Sequence, residues 1–184
     1  MNQLASTGQL RMVFLRWALV TVPLVLLLGI ASGALAGSGY GNAWFAALRK
    51  PGFTPPGWTF AAAWTILYIM QGMALALVLQ ARSAPGRAAA IAAFVVQLAL
   101  NLAWSPLFFA AHRAHAALWL IGAIFVAAAA AAVLQGRVRR VAGLLMLPYL
   151  AWLLFAAVLN LAIVAMNPDA ETLAPGGSTT QIGL

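Results

Sequence analysis

Five long stretches of the chain carry almost no charged residue, and each is about the length of a membrane-spanning helix. A bilayer core of about 30 Å requires roughly 20 apolar residues in a helix. Runs of that kind occur at about 13–36, 58–80, 88–111, 115–135 and 140–166. They predict an all-α fold, an integral membrane bundle of five transmembrane helices.

The overall composition agrees with a chain that meets lipid over most of its surface. Of its 184 residues, 65% are hydrophobic and 7% are charged, whereas soluble domains carry roughly 25% charged residues. The formal net charge of +8 comes from basic residues scattered between apolar runs, so we expect no nucleic-acid partner. The chain has no cysteine, which excludes thiolate catalysis and cysteine metal sites.

The segments outside the apolar runs divide the chain into three parts. We expect an N-terminal extension at 1–12, one membrane domain at 13–167, and a flexible, glycine-rich C-terminal tail at 168–184. The connection at 37–57, called loop 1 here, contains Pro51, Pro55 and Pro56, so an ordered extramembrane loop is expected there and not another helix. The first run also resembles a signal peptide, although the spacing of Gly29 and Gly33 favours a retained packing helix.

The basic residues are distributed unequally between the two sides of such a bundle. The side of the amino terminus carries Arg11, Arg16, Arg82, Arg87, Arg137, Arg139 and Arg140, and the other side carries Arg49, Lys50 and Arg113. Because cytoplasmic loops are enriched in basic residues, we expect the amino terminus in the cytoplasm, with loop 1 and the carboxyl terminus outside. We expect the membrane to be that of a bacterial cell.

Polar and aromatic residues recur at helical spacing on three of the predicted helices. The second helix offers Trp64, Tyr68 and Gln71, the third Gln97, Asn101, Trp104 and Phe108, and the fifth Tyr149, Trp152, Ala156 and Asn160. Spacings of three and four place each set on one helical face. An unpaired amide is unfavourable in hydrocarbon, so the three faces are predicted to converge on one cavity.

Each of these residues also has a simpler explanation. A single intramembrane Asn or Gln commonly joins two helices by a hydrogen bond, and tryptophans gather at the membrane interface. Trp64, Trp104 and Trp152 lie deeper in their runs, where a flat indole suits stacking on a planar ring system. The combination on three helices favours a ligand cavity over isolated contacts.

Acid-base and metal chemistry have little support in the sequence. The only acids, Asp169 and Glu171, follow the last helix, so the predicted spans contain no carboxylate for a proton relay or a hydrolase. His112 and His115 have no third ligand nearby. We therefore predict no catalytic residues, no metal site and no required cofactor.

The residues of loop 1 and of three helices together match a known pattern. Loop 1 and the second helix contribute Trp44-Phe45, Leu48, Lys50-Pro51, Pro55-Pro56, Phe60, Trp64-Thr65, Leu67-Tyr68 and Gly72. The later helices contribute Gln97-Leu98, Asn101, Trp104-Ser105, Phe108-Phe109, Pro148-Tyr149-Leu150, Trp152, Ala156 and Asn160. From about Gly29 to Asn167, the chain resembles the TspO/MBR family of tryptophan-rich sensory proteins and translocator proteins.

This resemblance implies a five-helix fold, often dimeric, with a cavity under loop 1 that binds porphyrins and other hydrophobic ligands. By position it implies that the cavity is lined by Trp44, Trp64, Asn101, Tyr149 and Trp152, under a lid shaped by Pro51, Pro55 and Pro56. Two features depart from the family: Phe45 stands where Tyr is common, and no basic residue follows Tyr149, which disfavours cholesterol.

The leading hypothesis is a membrane receptor or carrier with a sensory or transport role. A tetrapyrrole would stack on Trp64, Trp104 and Trp152 while amides orient it and Arg49 or Lys50 pairs its propionates. One alternative, implied by the resemblance, is light-dependent porphyrin breakdown involving Trp64 and Trp152. Another is a structural membrane protein that uses its alanine-rich fourth helix to contact a partner.

Overall fold

The computed structural model describes residues 7–173 of the chain, and these form helices joined by short turns. The long helices are α1 (Thr7–Leu35), α3 (Gly57–Gln80), α4 (Arg87–Ser105), α5 (Ala114–Val138) and α7 (Leu147–Met166), and two short ones are α2 (Ala43–Ala47) and α6 (Arg140–Leu145). Over this range five helical spans are long and apolar enough to cross a membrane. The predicted fold class is therefore confirmed.

Two of the spans are not uniform α-helices. The third continues beyond α4 through one turn of π-helix at Pro106–Ala110. The extra residue in a π turn shifts the helical face, and such turns are frequent at functional sites; here it leaves the adjacent Phe108 and Phe109 both buried. The fifth span is interrupted at Met146, between α6 and α7. Pro148 lies in the first turn of α7, where a missing N–H is tolerated.

The helices pack in a closed order around the bundle. The first helix, α1, packs along α3, and α3 also contacts α6. Helix α5 packs against α4 on one side and against α6 and α7 on the other. The circuit is closed by contacts between α1 and α4. This order places α3, α4 and α7, the helices with the predicted polar faces, around one interior.

Close contact between α1 and α3 depends on glycine. A Cβ built on Gly72 would lie 2.6 Å from the Cα of Val22, and one built on Gly29 would overlap the ring of Tyr68. Thr21 uses this proximity, because its hydroxyl donates to the carbonyl of Gly72 over 2.8 Å. Small residues at helix contacts allow this approach in lipid, where no hydrophobic force drives the helices together.

The structure differs from the sequence prediction at three places. Residues 7–12 belong to α1 and not to a separate extension. Loop 1 contains the helix α2, because the Asn42 side chain accepts from the N–H of Phe45 over 2.9 Å and so caps its first turn. Residues 168–173 are ordered, as their contacts below show, whereas residues 1–6 and 174–184 of the predicted extension and tail lie outside the described range.

We predict that Gly72→Ala destabilises the bundle. The new methyl group would force α1 and α3 apart, and overpacking of this kind costs about 1–3 kcal/mol. Thermal unfolding of the detergent-purified protein should show a lower midpoint. Gly122→Ala is the matched control, since a Cβ there would have nothing within 4 Å; equal midpoints for the two variants would contradict the close contact.

Candidate functional site

A cavity of about 500 Å³ lies inside the half of the bundle that is covered by loop 1. Its wall is formed by side chains from α1, α3, α4, the π turn, α5 and α7, together with Tyr40 and Phe45 from loop 1. The size is within the roughly 300–1,000 Å³ of small-molecule sites. Among the lining residues, all of which belong to the described part of the chain, none is charged.

Aromatic rings cover the α3 and α7 side of this cavity. Trp64 stacks on Tyr68 with ring centroids 5.2 Å apart and meets the edge of Trp152 at 6.4 Å. Phe60, one turn before Trp64, meets Trp152 edge-on at 5.8 Å. Ring contacts therefore join α3 to α7 along the cavity wall. Aromatic pairs prefer the edge-to-face and stacked geometries seen here.

A second aromatic group covers the α4 side. Trp104 stacks on Phe108 with ring centroids 5.0 Å apart and an interplanar angle of 11°. Phe109 meets the edge of the same indole at 5.9 Å. All three residues line the cavity, so aromatic rings are present on its α4 side as well as on its α3 and α7 side.

The cavity also contains polar groups, and not all of them are paired within the protein. The hydroxyl of Tyr68 donates to Oδ1 of Asn101 over 3.1 Å, which joins α3 to α4. In contrast, the indole N–H of Trp104 and both amide atoms of Asn160 are buried without a protein partner in the described residues. Buried polar groups without partners are uncommon, and since Trp104 and Asn160 line the cavity, they are its polar groups for which a partner is missing.

Three of the predicted ligand residues lie outside the cavity, and two of them, Gln97 and Tyr149, are buried between helices. Gln97 donates to Gln71 over 3.0 Å, and both side chains are fully buried, so this pair joins α3 to α4 as an ordinary interhelical hydrogen bond. Tyr149 is also fully buried, and its ring packs beside Trp64 at 6.2 Å without lining the cavity. The cavity wall is instead continued on α7 by Trp152 and Asn160.

Trp44 likewise does not line the cavity. Its ring is 1% exposed, is stacked on His112 at 4.6 Å, and donates its indole N–H to the carbonyl of Ala170 over 2.8 Å. Its neighbour Phe45 faces the cavity in its place. Trp44 therefore fastens loop 1 to the segment that follows α7.

Asn167 is the main fastening between loop 1 and the end of α7. Its Oδ1 accepts from the N–H of Arg49 over 2.8 Å, and its Nδ2 donates to the carbonyls of Arg49 and Ile163. The Asn167 amide thus bonds both the backbone N–H and the carbonyl of Arg49, as a neighbouring β-strand would. The side chain is 6% exposed, so its loss would leave the partly buried N–H and carbonyl of Arg49 without this partner.

Glu171 extends the same fastening to the start of α5. Its carboxylate accepts from the backbone N–H of His115 and pairs with the guanidinium of Arg113 over 3.2 Å. These donors, the His115 N–H first, hold the pKa of Glu171 below its ordinary value. Because the pKa of Glu171 is lower in the folded state, this contact stabilises the fold at pH values above the unfolded-state pKa. That stabilisation is lost as the pH falls through the folded-state pKa.

The predicted lid residues surround the cavity without lining it. Pro55 accepts a hydrogen bond at its carbonyl from the hydroxyl of Tyr40 over 2.8 Å, and Pro56 precedes the first turn of α3. Lys50 places its ammonium 4.6 Å from the ring centre of Phe45. Tyr40 and Phe45 are cavity residues, so these contacts determine how loop 1 closes the site. Arg49 is exposed and Pro51 is partly buried, and neither contributes to the wall.

Several wall residues were missed by the sequence analysis. Leu26, Gly29, Ile30 and Gly33 of α1, and Ile121 and Ile124 of α5, line the cavity but belong to helices for which the sequence analysis predicted no polar or aromatic face. Phe60 is different, because it precedes Trp64 by four residues and was therefore detectable on the same face of α3. Within residues 7–173 no group of three His, Asp or Glu side chains is placed to hold a metal ion.

Comparison with known proteins gives one family and several relatives. Residues 20–166 match the model of the TspO/MBR family. The chain is 33% identical to Protein CrtK of Rhodobacter capsulatus over 144 residues, which cover 78% of this chain and 88% of that protein. It is 38% identical to the tryptophan-rich protein TspO of Chlorobaculum tepidum over 68% of this chain and 80% of that protein. It is 36% identical to the human translocator protein over 74% and 82%.

We predict that Asn167→Ala releases loop 1. Leaving buried partners unsatisfied costs about 1–3 kcal/mol, so amide hydrogen exchange of residues 42–50 should be faster while exchange in α3 and α4 stays slow. Thr172→Ala is the control, because that exposed hydroxyl bonds only within its own turn. Unchanged exchange in loop 1 of Asn167→Ala would show that Asn167 does not hold it.

Proposed function

The chain belongs to the TspO/MBR family, and from that membership and the geometry of the cavity we propose that it is a membrane receptor or carrier for a flat hydrophobic ligand of the porphyrin class. The ligand would occupy the space between the Trp64 and Trp152 wall and the Trp104 and Phe108 wall. Such a protein would have a sensory or transport role, as the names of its relatives, tryptophan-rich sensory protein and translocator protein, suggest.

One observation carries this proposal above the others. The cavity combines three tryptophan rings with a Trp104 indole N–H and an Asn160 amide that have no protein partner in the described residues. An apolar site needs only a few convergent polar groups to orient a ligand, and unpaired amides in the hydrocarbon region are unfavourable unless something binds them. A tetrapyrrole offers both the ring faces and the polar edge that these groups require.

The charged edge of such a ligand has a partner at the mouth of the cavity. Lys50 lies over Phe45, a cavity residue, and its ammonium donates to the carbonyls of Ala46 and Leu48. An ammonium has three N–H donors, so one remains for a carboxylate of the ligand. We propose that Lys50, because it contacts the cavity residue Phe45, pairs a propionate.

We propose binding and not catalysis as the primary activity. The uncharged wall offers no carboxylate, lysine or histidine to accept or donate a proton. The adjacent indoles of Trp64 and Trp152 are the feature that keeps light-dependent breakdown of the porphyrin as the second candidate, and recovery of an intact porphyrin after illumination in air would exclude it.

We predict that Trp64→Ala combined with Trp152→Ala weakens protoporphyrin binding by about tenfold or more. Two stacking surfaces are lost, and aromatic contacts contribute about 0.5–1.5 kcal/mol each beyond their buried area. Affinity should be followed by the absorbance of the porphyrin, because that signal does not depend on the deleted indoles. Unchanged affinity would contradict the site.

A matched control removes two tryptophans from the outside of the bundle. Trp58 is 72% exposed and Trp119 is 82% exposed, so Trp58→Ala with Trp119→Ala deletes the same chemical groups without touching the wall. This variant should bind porphyrin like the unmodified protein. A loss equal to that of the cavity variant would indicate that porphyrin binds to the lipid-facing surface.

We also propose that the amino terminus lies in the cytoplasm and that loop 1 lies outside, in a protein that functions as a dimer in a bacterial cell membrane. Because the chain has no cysteine, single cysteines report topology cleanly. In intact cells, Ala46→Cys should react with a membrane-impermeant maleimide and Ser83→Cys should react only after lysis. The reverse pattern would invert the orientation.

A further inference from the structure

A second concave site lies at the opposite end of the bundle from the cavity. It is a groove of about 600 Å³ between the start of α1, the turn after α3, and the junction of α5 with α6. Three arginines from these separate segments line it, Arg16, Arg82 and Arg139. We refer to it as the basic groove.

These arginines have no counter-charge in the protein. The whole chain contains two acidic residues, Asp169 and Glu171, and both follow α7 at the other end of the bundle. Glu171 is already bound to Arg113 and His115 there. The three guanidinium groups line one groove and are exposed, so water and salt screen their mutual repulsion, and an anion from outside the chain is the charge that can pair with them.

The other polar groups of the groove fit the same interpretation. Gln80 donates to the carbonyl of Leu10 over 3.1 Å and so holds α1 against the end of α3, while the exposed Ser83 adds a hydroxyl. The partial negative charge at the carboxyl end of α3 is offset by Arg87, whose guanidinium donates to the carbonyls of Val78 and Leu79. The helix end therefore does not oppose an anion.

The position of the groove relative to the hydrocarbon layer indicates where the anion would come from. Arg16 is the last charged residue before the long uncharged part of α1, which places it at the edge of the hydrocarbon layer. Residues 7–16 extend α1 beyond that edge by about 15 Å at 1.5 Å per residue, and their side chains Leu10 and Val13 form an apolar wall. A site with arginines beside an apolar wall at this level matches a phosphate group carried on a lipid.

We propose that the basic groove binds an anionic phosphate group, of the kind carried by a phospholipid headgroup or by a soluble phosphate ester, with Arg16, Arg82 and Arg139 as its ligands. Guanidinium groups bind phosphate oxygens through paired N–H donors. The site is separate from the porphyrin cavity and does not depend on what that cavity holds.

The test compares two triple variants of the full-length protein in detergent. Arg16→Gln, Arg82→Gln and Arg139→Gln remove the groove arginines, whereas Arg11→Gln, Arg137→Gln and Arg140→Gln remove three exposed arginines from the same end but outside the groove. Phosphatidylglycerol and phosphatidylcholine are titrated, and bound lipid is counted by native mass spectrometry. Thermal midpoints without lipid establish that both variants are folded.

The unmodified protein and the control triple should retain phosphatidylglycerol over phosphatidylcholine, and the groove triple should lose affinity for phosphatidylglycerol by at least about tenfold, since each basic residue near an anionic surface contributes about fivefold. Equal losses in the two triples would show that diffuse charge suffices and would overturn the site, as would wild-type retention by the groove triple. If the groove triple unfolds, Arg82→Glu on the exposed turn replaces it, with the same expected loss.

Adding inorganic phosphate separates the two sources. Failure of millimolar phosphate to displace phosphatidylglycerol is the result expected for a lipid headgroup held also by the apolar wall. Displacement of the lipid, together with a raised thermal midpoint in phosphate alone, would assign the groove to a soluble phosphate group. A midpoint that rises equally for the groove triple would mean that phosphate binds elsewhere and would overturn the assignment.

Discussion

A polar group in hydrocarbon must find a partner, and this constraint governs the interior of the protein. Between α3 and α4 it is met by the Gln97 to Gln71 and Tyr68 to Asn101 hydrogen bonds, which join the helices where no hydrophobic force would. At the cavity the same constraint is left unmet at Asn160 and at the Trp104 indole, and outside the cavity it is left unmet at Gln135 and at the Tyr149 hydroxyl. What distinguishes Asn160 and Trp104 is that both line the cavity, where a ligand can supply the missing partner.

The cavity is enclosed by helices that are held together by several kinds of contact. Glycines and the Thr21 hydrogen bond hold α1 against α3, and α6 packs on α3 and α5. The interruption of the fifth span at Met146 and the π turn at Pro106–Ala110 lie in the two spans that supply Trp152 and Trp104 to the wall. Loop 1 covers the cavity and is fastened by Asn167 and Trp44 to the segment after α7.

The sequence was sufficient for the number of spans and for the faces that converge, because hydropathy and a period of 3.6 residues depend on local sequence. It was not sufficient to predict which residues of a converging face line the cavity and which are buried between helices. Gln97 and Asn101 are one turn apart on the same face of α4, yet one is sealed in an interhelical pair and the other lies at the cavity. Trp44 was placed in the wall by resemblance, whereas its indole N–H is directed to Ala170, a partner 126 residues away that no local pattern reveals. The wall residues of α1 and α5 could not be predicted, because an aliphatic side chain that faces the cavity has the same hydropathy as one that faces lipid.

The central claim is that aromatic rings from α3, α4 and α7 enclose one ligand between them under loop 1. An experimental structure of the protein with protoporphyrin bound tests this most directly. The account predicts the macrocycle between Trp64, Trp152 and Trp104, with a polar edge within hydrogen-bonding distance of Asn160. A macrocycle bound on the outer face of the bundle, with this cavity filled only by water or side chains, would contradict it.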